Sequence, residues 1–156
     1  MKKMLVTSDL SEESKAAFPI AREYAEAFSA EVLVLAIIED PAQSAMLYAL
    51  DFPVAPKPDV QDQLREKIKK DIEALSKEFL KDLPLSIYVK DSQGRVHIDI
   101  LNFVKEKEID LVVMATHGRT GLSRLLIGGV TEKVIRECPC PILTVRSSDS
   151  SSKRKP

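Results

Sequence analysis

Apolar residues recur along this chain with two periods, and the alternation between them sets out a fold. Met4 to Thr7 is a short apolar run ending in the polar turn Ser8-Asp9-Leu10-Ser11, which predicts a strand followed by a helix with several N-cap candidates. Ala17, Ile20, Ala21, Tyr24, Ala25 and Phe28 then recur at helical spacing and predict one buried stripe. Pro19 inside this run lacks an amide donor, so it predicts either a kink or a delayed helix start. Glu31 to Ile38 reads EVLVLAII, the pattern of a strand buried on both faces, as in a parallel sheet covered by helices.

The second half repeats this alternation. Val60 to Leu80 predicts a long helix with Leu64, Ile68, Ile72, Leu75 and Phe79 on one face. Leu85 to Val89 is a shorter, alternating strand expected near a sheet edge. A turn at Gly94 precedes a helix from about Arg95 to Lys107, with Val96, Ile100, Phe103 and Val104 inward. His97 stands one residue off that stripe and is expected at the surface or semi-buried, without a catalytic partner. Leu111 to Ala115 is another continuous apolar strand, Val130 to Glu137 a helix with Val134 and Ile135 apolar, and Pro141 to Val145 the last strand.

Strands and helices thus alternate throughout, which predicts an α/β fold: an open, mostly parallel sheet with helices on both faces and right-handed crossovers. The exception is Glu39 to Val60, which holds Pro41, Pro53, Pro56 and Pro58 beside an apolar patch from Ala45 to Phe52. A short helix at Ala45 to Leu50 is expected there, as a lid over a site or an interface element.

Composition narrows the classes. The 156 residues fit one domain, and with 44% apolar and 30% charged residues no stretch reaches the length of a membrane span. A net charge of -1 gives no global attraction to nucleic acid or anionic membranes, and only the tail, Lys153 to Lys155, is locally basic. Ser147 to Pro156 is expected to be disordered. Cys138 and Cys140 flank Pro139, too close for an ordinary disulfide. They read as small packing residues in a reducing, cytoplasmic setting.

Candidate chemistry concentrates after the strand at Leu111 to Ala115. Gly118, Gly121, Gly128 and Gly129 follow it, and a helix begins at once afterwards, the layout of an anion-binding loop with open amides and a positive helix end. The same glycines also suit a long plain connection. In parallel open sheets, ligands sit outside the carboxyl ends of strands where strand order reverses. Those ends deliver Thr7, Ser8 and Asp9, then Ile37 and Ile38, then Ala115 to Gly118. Asp9 offers an acceptor for a ring amine or ribose hydroxyl, and Ile37 an apolar wall with backbone groups. Amides of Gly118 to Gly121, Gly128, Gly129 and Val130 are the phosphate donors, assisted by Arg119, Ser123, Arg124 or Thr131. Neither GxxxxGK[ST] nor GxGxxG occurs.

Three features carry a resemblance: LVTSD at Leu5 to Asp9, Gly94 before a helix, and the segment MATHGRTGLSRLLIGGVTEKVIRECPCPILTV. On these the chain resembles the universal stress protein family, in its ATP-binding sub-group, over about residues 2 to 146. The resemblance implies a Rossmann-like five-stranded parallel sheet in the order 3-2-1-4-5, as in the adenine nucleotide alpha hydrolases. It also implies a 1–146 domain followed by a 147–156 tail, a homodimer through the strand at Pro141 to Val145, and ATP, with or without magnesium, across strands 1, 2 and 4. The implied site is Thr7, Ser8, Asp9, Ile37, Met114, Ala115, His117, Gly118, Arg119, Gly128, Gly129, Val130 and Thr131. The family's signature G-x2-G-x9-G-[S/T] falls on Ala115, Gly118, Gly128 and Gly129, so alanine replaces the first glycine and glycine replaces the hydroxyl residue. Thr7 stands where ATP-binding members favour proline.

Three functions follow. One is a dimeric stress-response module governed by bound nucleotide, with little or no hydrolysis. A second is a member that has lost ATP and acts as an interaction protein. The third is a slow ATPase or adenylate-transfer enzyme, for which His117 is the nearest water-activating candidate.

Overall fold

A computed structural model of the chain describes residues 1–39, 58–116 and 127–147. The expected helix at Ala45 to Leu50 and the tail beyond Ser147 lie outside the described residues. Strands β1 (Lys3–Ser8), β2 (Glu31–Ile38), β3 (Leu85–Asp91), β4 (Leu111–Ala115) and β5 (Ile142–Val145) form one sheet in the order β3-β2-β1-β4-β5. All four pairings are parallel, with Val6 beside both Val34 and Val113. The helices are α1 (Glu12–Lys15), α2 (Ala17–Phe28), α3 (Pro58–Leu80), α4 (Val96–Lys107) and α5 (Gly129–Glu137).

Strand alternation divides the core in two. Met4, Val6, Val32, Val34 and Val113 face α2 and α3, where Phe18, Ala21, Ile68 and Ile72 cover them. Leu5, Leu33, Leu35, Val112 and Met114 face the other way, against Ile100, Phe103, Val104 and Val134 of α4 and α5. Apolar residues on both faces are what the continuous runs in β1, β2 and β4 required, since a strand between two helical layers has no solvent side. β3 and β5 are the edges, and every residue of β3 is only half-buried.

Pro19 resolves the choice left by the sequence in favour of a delayed start. Four residues form α1, the chain breaks at Ala16, and Pro19 occupies the first turn of α2, where its missing amide would have had no intrahelical partner. The buried stripe of α2 is rotated from the predicted one. Ala17, Phe18, Ala21 and Ala25 are buried, whereas Tyr24 and Phe28 are 38% and 54% exposed, their rings 6.3 Å apart. Small alanines let the helix lie close to the sheet with Phe18 as its one large core contact, and that moves Tyr24 and Phe28 to the rim. Ile135 in α5 is likewise exposed, leaving Val134 as the core contact. Arg22 ties α2 to α3 by donating to the carbonyls of Phe79 and Lys81 at 3.1 and 3.0 Å.

Candidate functional site

Strand order reverses at β1, which lies between β2 and β4, so the carboxyl ends at Ser8, Ile38 and Ala115 open toward a common crevice. Its β1 side is built from a turn braced by its own side chains. Ser8 is buried, its hydroxyl 3.0 Å from that of Ser14 and accepting from the Leu10 amide at 3.1 Å. Asp9 receives the amide of Ser11 at 3.0 Å and the Ser11 hydroxyl on the same oxygen. Ser11 in turn caps α1 through the Ser14 amide. Leu10 takes a positive φ of 63° in this turn, and the side-chain bonds on either side hold it there. Asp9 is therefore a turn-forming residue as well as a candidate ligand.

The β4 side is clasped at its base. Thr116 donates its amide to the Val145 carbonyl at 2.9 Å, and its own carbonyl accepts the Gly128 amide at 2.8 Å. The chain therefore returns from Gly128 into α5 at the point where it left β4. Thr131, 6% exposed, donates its hydroxyl to the Ala115 carbonyl at 3.0 Å and fixes the start of α5 to the end of the strand. Two expectations are corrected by these bonds. The Gly128 amide is not open to a phosphate, because Thr116 holds it. The Thr131 hydroxyl proton is committed to Ala115, which makes Thr131 a positioning residue.

What remains for an anion is the helix start itself. The amides of Gly129, Val130 and Thr131 have no intrahelical acceptor by helix geometry, and Gly128 at the N-cap brings no side chain to cover them. Gly129 is exposed, and a Cβ built on it would meet nothing within 4 Å. Met114 stands at the end of β4. It is 4% exposed and packs with Leu5 and Phe103, since alternation points it into the α4 and α5 layer, so only its backbone borders the crevice. Ala115 is 6% exposed, and alternation turns its methyl to the α2 side with Val113. Thr7 and Ile37 are half-buried at the strand ends. His117, Gly118, Arg119, Gly121, Ser123 and Arg124 lie outside the described residues.

A third wall was missed by sequence reasoning. Gly94 takes φ +116°, and the turn it makes is held by Asp99, which accepts from the Ser92 hydroxyl at 2.7 Å and the Gln93 amide at 3.1 Å. This sets the start of α4 against α5 and leaves a groove of about 740 Å3 lined by Glu39, Arg95, His97, Val130, Lys133 and Glu137 among others. His97 is buried at 9% exposure, deeper than the surface or semi-buried position that its offset from the apolar stripe predicted. The available signal was its place in the first turn of a helix that starts at the carboxyl end of a parallel strand. Beyond α5, Cys138 and Cys140 are half-buried with sulfurs 3.6 Å apart. Burial, then the bond to Cys138, pushes the Cys140 thiol up to about 12.

Among the described residues, no helix is long and apolar enough to cross a membrane. Comparison with known proteins agrees with this architecture. A family model for the universal stress protein family matches residues 1–146. Universal stress protein MJ0531 of Methanocaldococcus jannaschii is 30% identical over 148 residues, 93% of this chain and 82% of that protein. The solved structure of MJ0577, from the same organism, has a TM-score of 0.71 at 26% identity, covering 96% of this chain and 98% of its own. Two solved universal stress proteins, one in complex with cAMP and one from Archaeoglobus fulgidus in complex with dAMP, share the fold at TM-scores of 0.57 and 0.59. They are 19% and 14% identical, and each match covers 94% of this chain and 98% of the other. The chain belongs to the universal stress protein family.

Proposed function

We infer that this chain binds an adenine nucleotide, ATP in the first instance, in the crevice between the ends of β1, β2 and β4, and acts as a dimer whose state depends on that nucleotide. The observation that carries the reading is the start of α5. Three consecutive amides, those of Gly129, Val130 and Thr131, open at the sheet's switch point, at the positive end of a helix pinned to β4. Ile37 supplies an apolar wall two strands away, and Asp9 stands at the end of the strand between. Relatives of the same fold were solved with cAMP and with dAMP, which supports an adenine nucleotide as the ligand class. For assembly, β5 is a sheet edge paired only with β4 among the described strands, and pairing it with its copy would remove that edge. We place the dimer there. Release of phosphate from Mg-ATP is expected to be negligible and equal in the chain and in H117A.

One observation favours a second reading, a dimeric interaction protein without nucleotide. The Gly128 amide is engaged and Gly129 has no hydroxyl, so two donors of the usual phosphate cradle are missing. Calorimetric titration with ATP separates the two. Because Asp9 builds its own turn, the informative variant is D9N, which keeps an oxygen for Ser11 and removes the carboxylate. Saturable binding to the chain and weaker binding to D9N support the nucleotide reading. No binding by the chain leaves the interaction protein, and unchanged affinity in D9N removes Asp9 from the site.

A further inference from the structure

The groove between α4 and α5 holds more unanswered polarity than packing two helices requires. Val130, Lys133 and Glu137 follow one another at three and four residues along α5, so they share a helix face, and Arg95 and His97 meet them from the start of α4. His97 is 9% exposed, and its ring makes no hydrogen bond to any described residue. An imidazole always carries at least one N–H donor, and buried donors are almost always partnered. Its neighbour Ser92 does not answer it, since that hydroxyl donates to Asp99 and accepts from the Gly94 amide. Glu39, Arg95, Lys133 and Glu137 form no ion pair among the described residues although they line the same space.

Two cations, two carboxylates and an imidazole unpartnered among the described residues suit neither an apolar ligand nor a bare anion. They suit a group with a phosphate at one end and hydroxyls at the other. We propose that the groove binds a sugar phosphate group, its phosphate between Arg95 and Lys133, one hydroxyl on His97 and the others on Glu39 or Glu137. The group can belong to the nucleotide itself, because Val130 borders both the groove and the crevice, or to a free sugar phosphate. In the first case the proposal rests on the nucleotide reading, and in the second it is independent of it.

The test is calorimetric titration of the full chain with ATP and, separately, ribose 5-phosphate, repeated on H97A, on R95A/K133A and on D9N, with thermal melts to establish folding. Arg95 and Lys133 are exposed, so their double variant keeps the test decisive if H97A fails to fold. The expected result is that at least one probe binds and loses about tenfold or more in affinity in H97A and in R95A/K133A. If only ATP is affected, the group is the nucleotide's own. Binding of ribose 5-phosphate that depends on His97, with no ATP binding at all, leaves the groove standing while the nucleotide reading fails. The proposal is overturned if neither groove variant moves either probe by more than about twofold. That outcome, with ATP still weakened by D9N, leaves the nucleotide reading intact. Failure of the chain to bind either probe at millimolar concentration also overturns it.

Discussion

The two sides of the sheet's carboxyl edge are built on opposite plans. On the β1 side, Ser8, Asp9, Ser11 and Ser14 hydrogen-bond among themselves and to nearby amides, and the turn is held by its own residues. On the α4 and α5 side, a buried histidine, four charged groups and the first amides of a helix meet no such partners among the described residues. A closed polar turn stabilises the fold. An open set of polar groups gains its partners from water or a ligand, so in the proposed function the α4 and α5 side provides binding energy, and the β1 side rigidity and one carboxylate.

Breaking the clasp that holds the open side should have the largest effect. T131V leaves the Ala115 carbonyl buried without its donor and is expected to cost about 2 kcal/mol, lowering the thermal midpoint by roughly 4 to 8 °C and weakening ATP binding at the same time. A melt unchanged within error would show that Thr131 does not pin α5. Next comes the turn that aims His97. G94A forces a side chain into φ +116°, at a cost of about 1 to 2 kcal/mol of backbone strain, although a Cβ there would meet nothing within 4 Å. Its effect should be on stability and on the groove, leaving the D9N comparison as it was; an equally stable G94A would mean the turn relaxes freely.

The smallest effect belongs to the opposite edge of the sheet, which serves as a control. Asp110 accepts the amides of Lys2 and Lys3 at 2.6 and 3.0 Å, and these bonds hold its carboxyl below the usual range. A carboxyl lowered in the folded state contributes stability above its unfolded pKa and loses it as pH falls through the folded value. D110N should therefore flatten the acid limb of a stability profile while leaving ATP affinity at neutral pH unchanged. A change in ATP affinity would show that the two edges are coupled.

The fold was legible where burial on two faces demanded it. Uninterrupted runs such as Glu31–Ile38 and Leu111–Ala115 admit one environment, and their helices followed from period and caps. Rim positions were not legible, because Tyr24 and Phe28 fit a helical stripe by spacing, and only the close approach permitted by Ala21 and Ala25 turns that stripe past them. At the site, spacing located Gly128 and Gly129 but not the bond from Gly128 to Thr116, which depends on where the chain returns. Arg95 and Lys133 escaped notice, and His97 was placed nearer the surface, for a related reason. Each looks like an ordinary helix-surface residue, and only the packing of α4 against α5 brings them to one groove.

Gly129 is where the account is most exposed. It stands at the start of α5 without the hydroxyl that the family's signature places there, and the space around it is open. The decisive measurement is a calorimetric titration of ATP into the chain and into G129S. The account predicts saturable binding to both, tighter in G129S by about two- to tenfold from one added hydrogen bond to phosphate. Absence of binding to both at millimolar ATP, with each protein folded, would contradict it.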